Sequence, residues 1–265
     1  MFYTAFIVAA PAYPQSRSLL SGKTVLVTAA AGTGIGLAAA KRCLEEGARV
    51  VISDVHERRL AQAAEALSAL APEPVLGVRC DVTQEADVQN LIDAASRALG
   101  PIDVLINNAG LGGTANLIDM SDEQWSRVLD VTLTGTFRMT RAALRAMLPH
   151  KKGVIINNAS VLGWRAQAGQ AHYAAAKAGV MALTRCAAME VAGSGIRVNA
   201  VAPSLAAHPF LTKVMSEELL AELTQREAMG RGAEPWEVAN VIVFLASDLS
   251  SYLTGEVISV SSQHP

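Results

Sequence analysis

Three polar side chains in the second half of the chain have the types and spacing of an acid–base site for a carbonyl group. Ser160 follows an apolar run, and Tyr173 and Lys177 lie four residues apart, so a helix places them on one face. A lysine cation about 5 Å from a tyrosine stabilises its phenolate by roughly 3 kcal/mol at an effective dielectric of about 20, equivalent to about 2 pK units. We therefore predict that Tyr173 transfers a proton while Ser160 hydrogen-bonds the carbonyl oxygen.

A glycine-rich segment after the first predicted strand is typical of a dinucleotide-binding loop. Gly32 precedes a predicted helix that begins with Gly34, Ile35 and Gly36. Glycines allow the backbone to approach a pyrophosphate, and a helix N-terminus supplies free N–H donors. A tight strand-to-helix turn without a ligand has a similar sequence, and a Tyr-x-x-x-Lys pair is common on helices, so neither motif is decisive by itself.

The residue at the end of the second predicted strand bears on which nicotinamide cofactor binds. Asp54 lies 18 residues after Gly36, where a carboxylate accepts hydrogen bonds from the adenosine ribose and repels the 2′-phosphate of NADP, which favours NAD. His56, Arg58 and Arg59 follow closely, and a cation there accommodates that phosphate, so NADP stays open. Asp54 could also simply cap the helix that follows.

From residue 22 onward the chain alternates between short apolar runs, typical of buried parallel strands, and helical patterns. We predict strands over residues 23–28, 49–53, 75–79, 104–107, 153–157, 197–201 and 256–260. Helices are predicted over residues 34–46, 57–70, 87–99, 121–147, 172–192 and 237–246. This alternation predicts an α/β fold, a Rossmann-type doubly wound seven-stranded parallel sheet that residues 21–265 form as a single domain. Such sheets bind ligands beyond the carboxyl ends of their strands.

Composition and charge exclude several classes of function. Half of the residues are hydrophobic (51%), and 22 basic against 24 acidic residues give a net charge of −2, so the chain lacks the basic surface of a nucleic-acid-binding protein. Cys43, Cys80 and Cys186 are an odd number without a Cys-x-x-Cys pair, which argues against a disulfide framework or a zinc site and predicts no metal and a cytoplasmic location. Cys43 and Cys186 lie in helical patterns and are predicted to be buried.

The first 20 residues differ from the rest of the chain. Residues 2–10 are apolar, but the run is short, has no basic start and leads into Pro11 and Pro14. A signal peptide needs a positive n-region, and a membrane span needs about 20 apolar residues. We therefore expect residues 1–20 to form a loosely ordered N-terminal extension, with no membrane association.

Taken together, these motifs resemble the short-chain dehydrogenase/reductase (SDR) family from residue 22 to about residue 260. The matching segments are Gly34-Ile35-Gly36, Cys80-Asp81-Val82, Asn107-Asn108-Ala109-Gly110, and Ser160 followed after 13 residues by Tyr173-x-x-x-Lys177. The resemblance implies an NAD(P)-dependent oxidoreductase that transfers a hydride between a nicotinamide and a secondary alcohol or ketone.

The same resemblance assigns cofactor contacts and an assembly. It implies contacts from Asp81 and Val82 to the adenine, from Asn107, Ala109, Gly110 and Pro203 along the cofactor cleft, and from Tyr173 and Lys177 beside the nicotinamide. Lys177 is then expected to bind the nicotinamide ribose and to lower the tyrosine pKa. In the family the two long helices, predicted here over 121–147 and 172–192, pair between subunits, so we expect a homotetramer.

Four features depart from the family pattern, and one of them is Ser204, which replaces the glycine that usually follows Pro203. Ala29 replaces the usual glycine after Thr28, and the loop has one more residue before Gly34. Thr132 stands where the family has an asparagine of a proton relay through water, and a threonine hydroxyl can hold a water, so we expect an altered relay. His208 stands in place of a threonine that often contacts the nicotinamide amide.

The substrate pocket is predicted to be mostly apolar and suited to a bulky hydrophobic ketone. Trp164, His172 and His208 are the candidate substrate contacts, with a core role for Trp164 and a plain loop role for His208 as alternatives. Arg165, Lys213 and the segment 226–231 could meet the phosphates of a thioester or be solvated surface charge.

Three further segments resemble a particular subgroup of the family, the actinobacterial reductases of sterol breakdown. They are residues 162–166, 234–238 and 261–265. That subgroup acts on a hydroxy or keto group of a methyl-indane, a steroid C/D-ring remnant, carried as a CoA thioester. We therefore expect a small-molecule substrate, in particular a CoA thioester. The alternatives are a 3-oxoacyl-(ACP/CoA) reductase of fatty-acid metabolism and, more remotely, a catalytically inactive dinucleotide-binding sensor.

Overall fold

The structure, a computed structural model, describes residues 8–207 and 217–263. Its strands are β1 (Thr24–Val27), β2 (Arg49–Asp54), β3 (Leu76–Arg79), β4 (Val104–Asn107), β5 (Gly153–Asn158), β6 (Ile196–Pro203) and β7 (Val257–Val260). All neighbours pair in parallel, in the spatial order β3-β2-β1-β4-β5-β6-β7. The strand order reverses between β1 and β4, and the predicted doubly wound parallel sheet is confirmed.

The helices are α1 (Ile35–Glu45), α2 (Glu57–Ser68), α3 (Glu85–Leu99), α4 (Asp122–Leu129), α5 (Gly135–Met147), α6 (Ala171–Val191), α7 (Glu217–Gln225) and α8 (Pro235–Ala246). Helix α4 starts where the helix over 121–147 was predicted to start, and Ser121 and Gln124 form a capping box there. The long helix expected over 121–147 is interrupted by one π-helical turn, Asp130–Thr134, so it divides into α4 and α5. The sequence patterns did not predict α7.

The strands alternate their side chains between two hydrophobic layers, which is why the sheet is covered on both faces. Val25 and Val27 of β1 pack in one layer, together with side chains of α1, α2 and α8. Leu26, which points the other way, packs in a second layer with Leu91 of α3 and Met139 of α5. The helices thus hold the sheet rigid while leaving the carboxyl ends of its strands accessible.

Residues 8–20 run across the surface formed by α1 and α8. The Tyr13 hydroxyl donates a hydrogen bond to Glu45 (2.6 Å), and its ring lies edge-on to Trp236 at 5.4 Å between ring centres. Leu20 is fully buried. Residues 1–7 lie outside the described residues, and the division into an extension (1–20) and a domain (21–265) stays a prediction.

Cysteine burial follows the prediction in part. All three cysteines are free thiols, and burial raises the pKa of both Cys43 and Cys80 to about 12. Cys186, expected to be buried, is exposed because it lies on the outer face of α6.

None of the helices that the structure describes is long and apolar enough to cross a membrane.

Candidate active site

The three predicted catalytic residues line one cavity of about 710 Å³ at the carboxyl ends of the strands. Ser160 follows β5, and its hydroxyl caps a short 3₁₀ turn by accepting the Leu162 N–H (3.2 Å). Tyr173 and Lys177 come from the first turns of α6. The fold therefore brings together side chains that the sequence separates by up to 17 positions.

Electrostatics inside the cavity differ from the prediction made from spacing. Lys177 Nζ lies 5.5 Å from the Tyr173 ring centre and donates to the Asn158 carbonyl at 2.5 Å. Burial lowers the pKa of Lys177 to about 8. Burial raises the pKa of Tyr173, and a hydrogen bond with Ser160 acts in the opposite direction. In the chain by itself, burial therefore decides the direction of the tyrosine pKa, contrary to the lowering that we expected from Lys177.

The loop between β1 and α1 is fixed by close backbone contacts. Ala29 adopts a left-handed conformation (φ 51°), and its carbonyl accepts from Asn108 Nδ2 at 3.0 Å. A Cβ atom on Gly36 would lie under 3.0 Å from both the Ala29 oxygen and Asn108 Nδ2, so no larger residue fits without a shift. Asn108 Oδ1 in turn accepts from Asn158 (2.9 Å), which ties the loop to the end of β5.

This loop presents backbone donors that have no acceptor within the described part of the chain. The N–H groups of residues 32–37 donate to none of the described residues, and Gly34, the N-cap of α1, provides no side-chain cap. Space beside Gly32 is open, since a Cβ there would meet only the Gly34 nitrogen, at 3.9 Å. Free N–H groups at a helix N-terminus are the donors that a pyrophosphate needs, so the loop fits a dinucleotide.

Asp54, the last residue of β2, fixes the glycine-rich loop through a backbone hydrogen bond. Its carboxylate accepts from the N–H groups of Ala31 (3.2 Å) and His56 (3.0 Å), and Arg59 Nη2 lies 3.9 Å away. His56 is the N-cap of α2, so the carboxylate also supports the start of that helix. Burial raises the pKa of Asp54, while the Ala31 hydrogen bond and the Arg59 charge oppose the shift.

The remaining predicted cofactor residues divide into two groups. Gly34, Ile35 and Gly110 line the cavity. Asn107 does not, because its amide is buried beneath the strand ends and donates to Thr140 (3.0 Å) and Asn157 (2.9 Å). The asparagine that lines the cavity is its neighbour Asn108, whose place in the Asn-Asn-Ala-Gly motif was the only sequence signal for it.

The other four predicted contacts lie at the ends of strands or directly after them. They are Ala109, whose N–H donates to the Thr28 hydroxyl; Asp81, whose carboxylate accepts from Thr83; Val82, buried against Gly135; and Pro203, the last residue of β6. All are on the edge of the sheet where the glycine-rich loop lies, as a cofactor lying along that edge requires.

Thr132 lies in the π-helical turn, beside the cavity. Its hydroxyl accepts the Leu111 N–H (3.0 Å) and donates to the Leu111 carbonyl (3.2 Å), and the side chain is fully buried. The hydroxyl thereby holds the cavity-lining segment that begins at Gly110. The Thr132 hydroxyl therefore uses its proton, and accepts a hydrogen bond, within the protein.

The candidate substrate contacts are distributed differently from the prediction. Trp164 is 50% exposed and is not among the described residues that line the cavity. His172 is buried beside Gly113 and also does not reach the cavity surface. His208 and Lys213 lie outside the described residues. The lining instead includes Arg165, Arg226 and Gln263, of which Gln263 had been quoted only within a resembling segment.

Comparisons with known proteins agree with this architecture. The family model described as "Enoyl-(Acyl carrier protein) reductase" matches residues 29–262. A solved structure described as a short chain dehydrogenase from Mycobacterium smegmatis is 55% identical, with a TM-score of 0.86, and the match covers 97% of this chain and 99% of that one. The chain belongs to the short-chain dehydrogenase/reductase family. It is therefore an SDR oxidoreductase that uses a nicotinamide dinucleotide.

Two curated relatives of this SDR are informative about substrates. A Mycobacterium tuberculosis protein named (5R,7aS)-5-hydroxy-7a-methyl-1-oxo-2,3,5,6,7,7a-hexahydro-1H-indene-carboxyl-CoA reductase is 64% identical over 258 residues, covering 97% of this chain and 98% of that protein. A 3-oxoacyl-[acyl-carrier-protein] reductase of Thermotoga maritima is 39% identical over 241 residues, with 91% and 97% covered. The chain is thus much more similar to the indene-carboxyl-CoA reductase.

Proposed function

We propose that this SDR interconverts a ketone and a secondary alcohol on a bulky ring-containing acyl group carried as a CoA thioester. The observation that carries the proposal is the convergence of Ser160, Tyr173 and Lys177 on one cavity that also reaches the glycine-rich loop. The substrate class is supported by the relative at 64% identity, whose name specifies a two-ring carboxyl-CoA. Apolar walls from Val161 and Leu205 suit such a ring system.

In the proposed mechanism the protein positions the carbonyl and moves one proton. Ser160 donates a hydrogen bond to the carbonyl oxygen, and Tyr173 gives its phenolic proton to that oxygen as it becomes an alkoxide. Lys177, with a pKa of about 8, is largely a cation at pH 7 and favours the resulting phenolate. The nicotinamide cofactor, when bound, supplies the hydride in reduction or accepts it in oxidation.

The cofactor would bind along the edge that begins at the glycine-rich loop. The N–H groups of residues 32–37 are suited to the pyrophosphate, and Lys177 to the nicotinamide ribose.

We propose NAD(H) as the preferred cofactor, because the Asp54 carboxylate disfavours a 2′-phosphate. Replacing Asp54 with Ala is expected to lower the NADH/NADPH ratio of kcat/KM by at least tenfold. An unchanged ratio would mean that Arg59 and its neighbours govern the ribose site.

The decisive experiment compares two ketones with both reduced cofactors. One substrate is a bicyclic indanone-type acyl-CoA, and the other is a short linear 3-oxoacyl-CoA. Fast turnover of the bicyclic thioester alone supports the proposal. Preference for the linear thioester would instead assign the chain to fatty-acyl reduction, the alternative function.

A catalytically inactive dinucleotide sensor is disfavoured by the intact Ser160, Tyr173 and Lys177 set. We further propose a homotetramer, in which α4, α5 and α6 pair between subunits, because these helices expose Trp125, Phe137 and Met189 respectively. Sedimentation of a monomer at micromolar concentration would contradict the tetramer.

A cytoplasmic location is proposed from the three free thiols and is tested by cell fractionation.

A further inference from the structure

The wall of the active-site cavity has an uneven charge. Three cationic side chains line it, Arg165, Lys177 and Arg226, and no aspartate or glutamate is among the described lining residues. Lys177 donates a hydrogen bond to the Asn158 carbonyl and lies beside the catalytic Tyr173. The two arginines belong to other walls, one after the 3₁₀ turn that follows Ser160 and one just after α7. A cavity of this kind attracts an anion.

The two arginines differ in how much of their charge is compensated. Arg226 pairs with Glu222 at 2.5 Å, and both side chains are about half exposed, so water screens this pair. Arg165 is half-buried, and within the described residues its guanidinium contacts an uncharged partner, the Gln263 side-chain carbonyl, and no carboxylate. Arg165 therefore has donors and charge available for a ligand.

A network at the C-terminal end of the chain holds Arg165 in place. Gln263 accepts from Arg165 through Oε1 and donates through Nε2 to the Glu227 carboxylate at 3.0 Å. Glu227 is 4% exposed and also accepts from the Ser262 hydroxyl at 2.8 Å. The backbone adds a further bond, from the Ala228 N–H to the Ser262 carbonyl (2.8 Å). Residues 261–263, here called the tail, are thus fastened beside the cavity and orient the guanidinium.

The backbone of Arg165 is also fixed. Its N–H donates to the Val161 carbonyl at 3.0 Å, at the end of the 3₁₀ turn whose N-cap is Ser160, the residue proposed above to bind the carbonyl oxygen. A guanidinium has five N–H donors in a planar fork that matches two phosphate oxygens, and Gln263 is bonded to only one of its nitrogens. The catalytic serine and this cation are therefore at a set spacing on one short segment.

We propose that Arg165, oriented by Gln263 of the tail, binds a phosphate group of the CoA carrier, with Arg226 as a weaker outer contact. The inference rests on the proposed function, in which the substrate is a CoA thioester. The acyl group itself is neutral once it is thioesterified, so the anions that the carrier brings are its phosphates. Arg165 and Gln263 then select the carrier, whereas Ser160 and Tyr173 act on the ketone.

The test compares one bicyclic keto acyl group in three forms: the CoA thioester, the N-acetylcysteamine thioester, which lacks phosphate, and the free carboxylate. Arg165→Gln is expected to raise KM for the CoA thioester about tenfold or more, with kcat within about twofold. The same variant should leave kcat/KM for the N-acetylcysteamine thioester unchanged. Gln263→Ala should raise KM for the CoA thioester alone, by about threefold, because it frees the guanidinium without removing it.

Two further variants serve as controls. Arg97→Gln removes an exposed arginine on α3 and should change none of these constants. Arg165→Lys keeps the positive charge but removes the planar guanidinium that can bind two phosphate oxygens at once, so we expect a KM for the CoA thioester between those of wild type and Arg165→Gln. Equal KM increases for both thioesters in Arg165→Gln would overturn the proposal by assigning the residue to the acyl group or to the fold. A loss of turnover confined to the free carboxylate would assign it to a carboxylate.

A binding measurement separates this inference from the proposed function. Desulfo-CoA should bind the NAD⁺-saturated wild-type protein in a calorimetric titration, and Arg165→Gln should weaken that binding about tenfold. If the wild type reduces none of the three ketones but binds desulfo-CoA through Arg165, the proposed ketone is wrong and the carrier site stands. If desulfo-CoA binds neither protein, or both equally, the carrier site is refuted.

Discussion

Gly36 is the residue of the glycine-rich loop where the structure sets the sharpest steric limit. It lies in the first turn of α1, and an added Cβ would be under 3.0 Å from the Ala29 carbonyl oxygen and from Asn108 Nδ2. Neither atom can move freely. The Ala29 backbone is already left-handed, and Asn108 is bonded both to Ala29 and to Asn158. Gly36→Ala must therefore push the loop away from the end of β4.

Three effects set the size of the change in stability. Overpacking in a well-packed site costs about 1–3 kcal/mol. Loss of the hydrogen bond between Asn108 and Ala29 costs about 0.5–1.5 kcal/mol. Alanine is favoured over glycine in a helix by at most about 1 kcal/mol. The strain and the lost bond outweigh the propensity, so Gly36→Ala should reduce the free energy of unfolding by about 2 kcal/mol.

The assay is thermal and urea unfolding of the cofactor-free protein, at fixed protein concentration, together with NADH binding by fluorescence. A loss of about 2 kcal/mol corresponds to a decrease in Tm of roughly 4–8 °C. Gly32→Ala is the matched control, because a Cβ there meets only the Gly34 nitrogen at 3.9 Å, and its unfolding should stay within about 0.5 kcal/mol of wild type. Equal unfolding of Gly36→Ala and wild type would refute the steric argument.

Three other predictions address the catalytic residues. Tyr173→Phe should reduce kcat by about 10²–10⁴-fold, because it removes the proton donor, while NADH titration shows unchanged binding; full activity would refute the assigned role. Thr132→Val should slow turnover severalfold, since it leaves both backbone groups of Leu111 without their hydroxyl partner, and an unchanged kcat in steady-state kinetics would show that these two bonds do not position the cavity wall for catalysis. Burial lowers the pKa of Lys177 to about 8, from 10.5 in the unfolded chain, so above pH 8 the unfolded state binds more protons. Urea unfolding should therefore show stability rising between pH 8 and pH 10 in wild type and a flatter profile in Lys177→Met; identical profiles would place the lysine pKa near its ordinary value.

The sequence predicted the sheet well because its central strands, such as β1 and β4, are buried on both faces and appear as continuous apolar runs between turn residues. Helix α7 was missed because the 3.6-residue period over Glu217–Gln225 is short, and only Leu223 of this helix is buried. The π-helical turn at Asp130–Thr134 has no distinct sequence period, so α4 and α5 were predicted as one helix. Regular packing is encoded locally, whereas these two features depend on tertiary contacts.

The motifs identified the site residues better than they identified what each side chain does. Neighbours at the end of a strand point to opposite faces, so Asn107 enters the core while Asn108 faces the cavity, and a motif alone does not say which is which. Spacing likewise predicted a cation beside Tyr173 but not the burial that raises the tyrosine pKa. Arg226 and Gln263 line the cavity because the fold brings these segments next to the residues that follow β5, and no local sequence pattern predicts such a contact.

Asn107, which does not line the cavity, belongs to a buried polar network beneath the site. Its amide donates to Asn157 of β5 and to Thr140 of α5, and Asn157 donates to Thr184 of α6 at 2.9 Å. All four side chains are buried at 2% exposure or less. A buried amide left without a partner costs about 1–3 kcal/mol, so the network disfavours any slip of one element past another.

That network joins the two central strands to the helix that carries the acid–base pair. Asn157 lies three residues before Ser160 on the β5 segment, and Thr184 lies two turns beyond Lys177 on α6. Because Thr184 and Tyr173 are on the same helix, a shift of α6 along the sheet that separated Tyr173 from Ser160 would also break the hydrogen bond between Asn157 and Thr184. The distance between the residue that binds the carbonyl oxygen and the one that protonates it is therefore fixed by polar contacts in the core, and the loops above the cavity are free to differ with the substrate.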